Sequence, residues 1–200
     1  MSSARTIRDP VQDHLLTPQN SAMLIIDFQP EQISSVTSRD RRQLLRNIVS
    51  TAKLAGLFGL PIVLSTISVA SGANKPMIEA ITQVFPGVEP IDRTAINAWE
   101  DEDFVRAVKT TGRNKLIMAA LWTEVALVYL ALDALRGGFE VFPVVDAVGG
   151  TTLEAHEMGL ERLIQAGAQP TTRLQLACEL QSDWNREKTA AQVAQILSAF

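Results

Sequence analysis

The chain has 200 residues, 46% of them hydrophobic and 20% charged, with a formal net charge of −4 at neutral pH. That length suits one domain, residues 1–200, with a sizeable core. The charge balance contains no block of five like charges and argues against nucleic acid as the main partner. A single cysteine, Cys178, excludes an intrachain disulfide and with it the disulfide-stapled secreted class. No apolar run reaches the ~18 residues a membrane span needs, and Met1 to Pro10 lacks the apolar segment of a signal peptide. A cytoplasmic protein with no membrane partner is predicted.

Residues 1–20 are polar, carry Pro10 and Pro18, and read as an extended arm. Ala22 to Asp27 is a short apolar run ending in an acid, the pattern of a buried parallel strand. Phe28-Gln29-Pro30 turns the chain, and Arg39 to Arg42 reads as a solvated helix start. A helix follows, with Leu44, Leu45, Ile48, Ala52, Leu54 and Ala55 at mostly helical spacing, loosened at its end by Gly56 and Gly59. Pro61 to Thr66 is the second strand. Pro76 to Phe85 reads as a helix with Ile78, Ile81 and Phe85 on one face. Val88 to Asp92 is a short strand, placed at an edge because Pro90 cannot donate to a ladder. Glu102 to Thr111 is a helix with Phe104, Val105 and Val108 turned inward. Lys115 to Leu121 is the fourth strand, and the helix after it runs to about Leu135, where Gly137-Gly138 ends it. Phe139 to Asp146 is the fifth strand. Thr152 caps a helix to Ala166 that Gly167 closes, and Thr172 to Leu176 predicts a sixth strand. The tail, residues 185–200, places Val193, Ile196, Leu197 and Phe200 on one face of an amphipathic helix, which its own core or a neighbour must cover. This alternation predicts a three-layer α/β sandwich, a parallel sheet with helices on both faces and right-handed crossovers. Leu24, Ile26, Val63, Leu64, Ile117, Met118, Val141, Phe142 and Val144 form its expected core.

In such folds chemistry gathers at the carboxyl ends of the strands. Asp27 ends the first strand and reads either as a helix cap or loop acid, or as a general acid or base. Arg93 reads either as a surface partner of Asp92 or as a fixed cation beside Asp27 that holds its carboxylate ionised. Thr123-Glu124 is a polar elbow between the fourth strand and an apolar helix. Cys178 reads as a buried packing residue, the usual fate of a free thiol. The only histidines, His14 and His156, lie far apart, and no His, Cys or acidic cluster has metal-ligand spacing. Gly149-Gly150 is too little for a dinucleotide or phosphate loop. No metal and no cofactor are expected.

Several separated blocks resemble the isochorismatase-like cysteine hydrolases: Ile25-Ile26-Asp27-Phe28-Gln29; Arg93 followed by Ile96-Asn97-Ala98-Trp99; Thr123-Glu124-Val125; Val145-Asp146-Ala147; Gln165 to Ala168; and Ala177 to Leu180 before Asp183-Trp184. The last two look most like a metal-free bacterial subgroup that forms octamers. The resemblance runs from Ala22 to Trp184 and implies a six-stranded sheet of order 3-2-1-4-5-6. It also implies a small-molecule substrate and a homo-oligomer, an octamer in that subgroup. The family's Asp, Lys and Cys triad falls on Asp27, on Arg93 (a departure that the subgroup shares) and on Ala126. An oxyanion hole falls on the amides of Trp122 and Ala126, with a cis bond at Leu121–Trp122. Phe28, Gln29, Asn97, Trp99, Trp122 and Thr123 fall on the substrate pocket. A methyl group cannot attack a carbonyl, so three readings stay open. The chain is a hydrolase of small amides or related C–N or C–O bonds in which Ala126 replaces the nucleophile. Or it is a thiol-independent vinyl-ether hydrolase with Asp27 as proton donor. Or it is an inactive homologue that binds a ligand or only assembles.

Overall fold

All six residues of β1 (Ser21–Ile26) are buried, as a central parallel strand covered on both faces requires. In the computed structural model, which describes residues 8–198, β1 pairs in parallel with β2 (Ile62–Ile67) on one side and β4 (Lys115–Ala120) on the other. The outer strands are β3 (Ile91–Arg93), beside β2, and β5 (Glu140–Pro143), beside β4. The sheet therefore has five strands in the order 3-2-1-4-5. All nine expected core residues are buried.

The sixth strand expected at Thr172 to Leu176 does not form. Those residues open helix α7 (Arg173–Gln181) instead. The Thr172 side chain accepts from the Gln175 amide and caps it, and the Arg173 amide donates to Asp146 Oδ1. The residues just before it lie along β5: the Gln169 and Thr171 amides donate to the Val141 and Pro143 carbonyls, and Thr171 forms one isolated bridge with Val144. Leu176, Ala177 and Leu180 then face inward on a helical spacing. Cys178 lies on the other side of that helix and is exposed, contrary to its expected packing role.

Helix α1 (Pro30–Ser34) follows β1, and α2 (Arg41–Leu57) starts at Asp40, whose side chain caps the Gln43 amide. The helix expected over Pro76 to Phe85 shortens to one turn, α3 (Glu79–Thr82), although Ile81 and Phe85 still face the core. Helix α4 (Glu102–Thr110) begins at the Asp101 cap. Helix α5 (Val128–Arg136) follows β4, and α6 (Leu153–Gln165) starts at the Thr152 cap. Helix α8 (Glu187–Ser198) seats Val193 on Leu54 of α2 and Ala177 of α7, so its own domain covers that apolar stripe. Phe200 lies outside the described residues. No helix among them is long and apolar enough to cross a membrane.

Candidate active site

Asp27 is the first residue past β1 and takes a left-handed backbone conformation, φ 60°, which Asp tolerates better than most side chains. Its amide donates to the Ser65 carbonyl, 3.0 Å. It caps no helix. Its carboxylate meets Arg93, the last residue of β3, in a two-pronged pair: Nη1 to Oδ1 at 2.7 Å and Nη2 to Oδ2 at 2.8 Å. Both side chains are buried, at 0% exposure for Arg93 and 4% for Asp27. Asp92 turns away to Thr66 and the Val69 and Ala70 amides, so it is not the partner of Arg93.

The guanidinium is nearly used up by the protein. Nη1 also donates to the Thr66 carbonyl and Ser65 Oγ, and Nη2 to the Ile96 carbonyl. Only Nε is buried without a partner. Arg93 is thus committed to Asp27 and its neighbouring carbonyls and leaves no terminal N–H to grip an anionic ligand. Burial pushes the Asp27 carboxyl above the ordinary carboxylate value, against the hydrogen bonds and charge of Arg93, which pull it down.

The elbow lies one strand over. The register pairs Ile26 with Ala120, and the Leu121 amide donates to the Ile26 carbonyl, so the ends of β1 and β4 leave the sheet side by side. The Leu121–Trp122 peptide bond is cis. The α-helix expected to follow directly is preceded by a π-helical turn, Thr123–Leu127. Such turns widen a helix and recur at functional sites. The Trp122 carbonyl accepts from the amides of Val125 and Leu127, at 3.2 Å each, on either side of Ala126. Ala126 is 4% exposed. Among the described residues, the Trp122 amide donates no hydrogen bond.

The expected pocket residues divide. Phe28, Gln29 and Thr123 have no exposed surface. The Gln29 amide group donates to the Ile67 and Lys75 carbonyls and accepts from the Ile67 amide, which clamps the loop after β2. Asn97 donates to Asp133 of α5 and caps the turn that carries Trp99. Trp99 sits edge-on to Phe139, and Trp122 Nε1 donates to Ser35 Oγ at 2.8 Å. Trp99 and Trp122 are both half-buried. Sequence reasoning passed over His156, which contacts Thr123; the glycines that let α6 approach the elbow, Gly150 and Gly159, were the available signal. Burial first, then the charge of Arg39, lowers the His156 ring to about 4, against Glu124. No three His, Cys, Asp or Glu side chains among the described residues converge as a metal site would need.

A doubly wound parallel sheet with an acid, a cation and an elbow at its carboxyl edge is the architecture of an α/β enzyme. The isochorismatase domain model matches residues 21–175. The probable hydrolase YcaC of Escherichia coli K12 is 39% identical over 173 residues, 86% of this chain and 83% of that one. The crystal structure of E. coli YcaC, an octameric hydrolase of unknown specificity, superposes with a TM-score of 0.86 at 36% identity, covering 92% of this chain and 91% of that one. YcaC from Pseudomonas aeruginosa, solved with hexane-2,5-diol and covalent acrylamide, gives 0.84 at 32% identity, covering 94% and 97%. The chain belongs to the isochorismatase family of hydrolases.

Proposed function

We propose that the chain is a small-amide-type hydrolase scaffold, for C–N or related C–O bonds, whose nucleophile position is occupied by Ala126. The observation that carries this reading is the buried Asp27–Arg93 pair at the end of β1, next to an elbow that ends β4. In a thiol-bearing version, Asp27 would take the thiol proton, Arg93 would keep Asp27 oriented, and the Trp122 and Ala126 amides would face the developing oxyanion. A thiolate in the first turn after the elbow gains from the positive end of the helix. With a methyl at 126 no covalent intermediate forms, and little activity of this type is expected.

The test is Ala126→Cys in a Cys178→Ser background, because Cys178 is exposed and would itself react. Acrylamide, covalently present in the P. aeruginosa relative's structure, is the probe, read by mass spectrometry beside a screen of small amides. Labelling of the introduced thiol faster than Cys178 in the parent, slowed by Asp27→Asn, supports the reading. Labelling no faster than Cys178, with no amide turned over, overturns it.

One observation favours a second reading. Burial raises the Asp27 carboxyl, which favours its acid form and suits proton donation to a vinyl ether without a thiol. Turnover of an isochorismate-type vinyl ether by the chain as it stands, lost in Asp27→Asn, would select it. We also propose a homo-oligomer, following octameric E. coli YcaC; a monomeric mass by light scattering at micromolar concentration would refute this.

A further inference from the structure

A second buried polar group holds the elbow, and the proposed chemistry does not use it. His156 of α6 is 5% exposed. Its Nδ1 lies 2.8 Å from Thr123 Oγ1, and its Nε2 lies 2.9 Å from Arg39 Nη2, in the loop before α2. A guanidinium only donates, so Nε2 must offer its lone pair. The neutral ring then carries its proton on Nδ1 and donates it to Thr123. Thr123 opens the turn that carries position 126, is wholly buried, and is tied through its own amide to the Gly149 carbonyl, 3.0 Å.

The surroundings fit such a clamp. Three residues after His156, Gly159 brings α6 onto the elbow backbone: a Cβ there would stand 3.1 Å from Glu124 Cα. The charged groups acting on the ring are Arg39 from the loop and Glu124 from the elbow, the latter accepting from the Thr151 amide and hydroxyl through Oε1. Asp146 faces Arg39 in turn. Burial and Arg39 both disfavour a charged ring.

We propose that His156 is a positioning residue for the elbow, a neutral Nδ1-protonated imidazole that takes a hydrogen bond from Arg39 and gives one to Thr123. The effect on chemistry rests on the proposed hydrolase reading; the hydrogen-bond state does not. Nitrogen-15 NMR of the full chain with labelled histidine, His14→Gln removing the other ring, should show a protonated Nδ1 and a bare Nε2 at neutral pH. A proton on Nε2, or a charged ring, overturns the assignment.

For positioning, hydrogen exchange across residues 121–128 should rise in His156→Leu. It should return toward the parent in His156→Asn, whose amide can still donate to Thr123. In the Ala126→Cys, Cys178→Ser background, His156→Leu should slow acrylamide labelling by about one to two orders of magnitude, the scale of a misplacement near 1 Å, and His156→Asn should restore most of it. Unchanged elbow exchange in a folded His156→Leu protein overturns the positioning role. If the parent thiol fails to label, the hydrolase reading falls, and exchange and tautomer still decide the clamp.

Discussion

Two helical glycines should answer the same substitution with opposite signs. Replacing an interior helix glycine by alanine gains about 1 kcal/mol from reduced unfolded-state freedom and better propensity. At Gly56, near the end of α2, an added Cβ would meet Phe85 Cε1 and Val84 Cγ1 at 3.6 Å each, ordinary contact distances. Gly56→Ala should therefore stabilise by up to about 1 kcal/mol. At Gly159, in mid-α6, the same Cβ would stand 3.1 Å from Glu124 Cα, 3.3 Å from Glu124 N and 3.3 Å from Thr123 Cγ2. Two of these are backbone atoms, and that backbone is pinned by the Thr123 amide, which donates to the Gly149 carbonyl, and by the contact of Thr123 Oγ1 with His156 Nδ1. Overpacking of this kind costs about 1–3 kcal/mol, which offsets the propensity gain and leaves a net loss of about 1 kcal/mol. Urea unfolding of both variants, with midpoints compared at unchanged slope, checks the pair. A Gly159→Ala protein as stable as Gly56→Ala would refute the close seating of α6 on the elbow.

Arg93→Met should destabilise by about 3–5 kcal/mol, because it strands a buried carboxylate, and Asp27→Asn in the same chain should recover part of that; urea midpoints of the single and double variants decide. The His156 ring, at about 4 folded against 6.5 unfolded, stays bare in the fold where the unfolded chain takes up a proton. Its contribution is complete above about pH 6.5, falls as pH drops toward 4, and amounts to about 3 kcal/mol at most. Raised Asp27 works with the opposite sign, so the difference between parent and His156→Asn across this range isolates the ring. Cys178 should react with a thiol reagent in the folded protein as fast as in the denatured chain, since it is exposed; strong protection would restore the packing role expected of it.

The strands nearest the site were legible because both faces of a central parallel strand are buried, and β1 and β4 accordingly read as unbroken apolar runs. The caps at Thr152 and Asp101 likewise mark their helices by local chemistry alone. Thr172 to Leu176 misled because so short an apolar stretch carries no period of its own. What settled it was the Thr172 cap and the bond from Arg173 to Asp146, a contact 27 residues apart in sequence. At the site, Asp27 and Arg93 stood out by position, but their pairing spans 66 residues and depends on β2 lying between β1 and β3. Gln29 and Thr123 were expected to face a ligand; both spend their polar atoms on the protein, a distinction that residue type cannot express.

That distinction bears on what Ala126 leaves behind. Arg93 has committed both terminal nitrogens to the protein, and Asp27 has both oxygens on Arg93. The pair is therefore complete without a ligand, and it is expensive. It is buried, it leaves Nε without a partner, and Asp27 holds a left-handed backbone. Apolar side chains of similar volume often replace a buried ion pair with no loss, or with a gain of about 1–4 kcal/mol. A sheet edge needed only for folding has no use for this arrangement. Costs of this kind cluster where a carboxyl must be held at one place. Among the described residues, the Trp122 amide, just past the end of the neighbouring strand, donates no hydrogen bond. These two features are what the proposed hydrolase reading would use and what a protein that merely assembles would not need; the thiol introduced at position 126 is the reagent that decides between them.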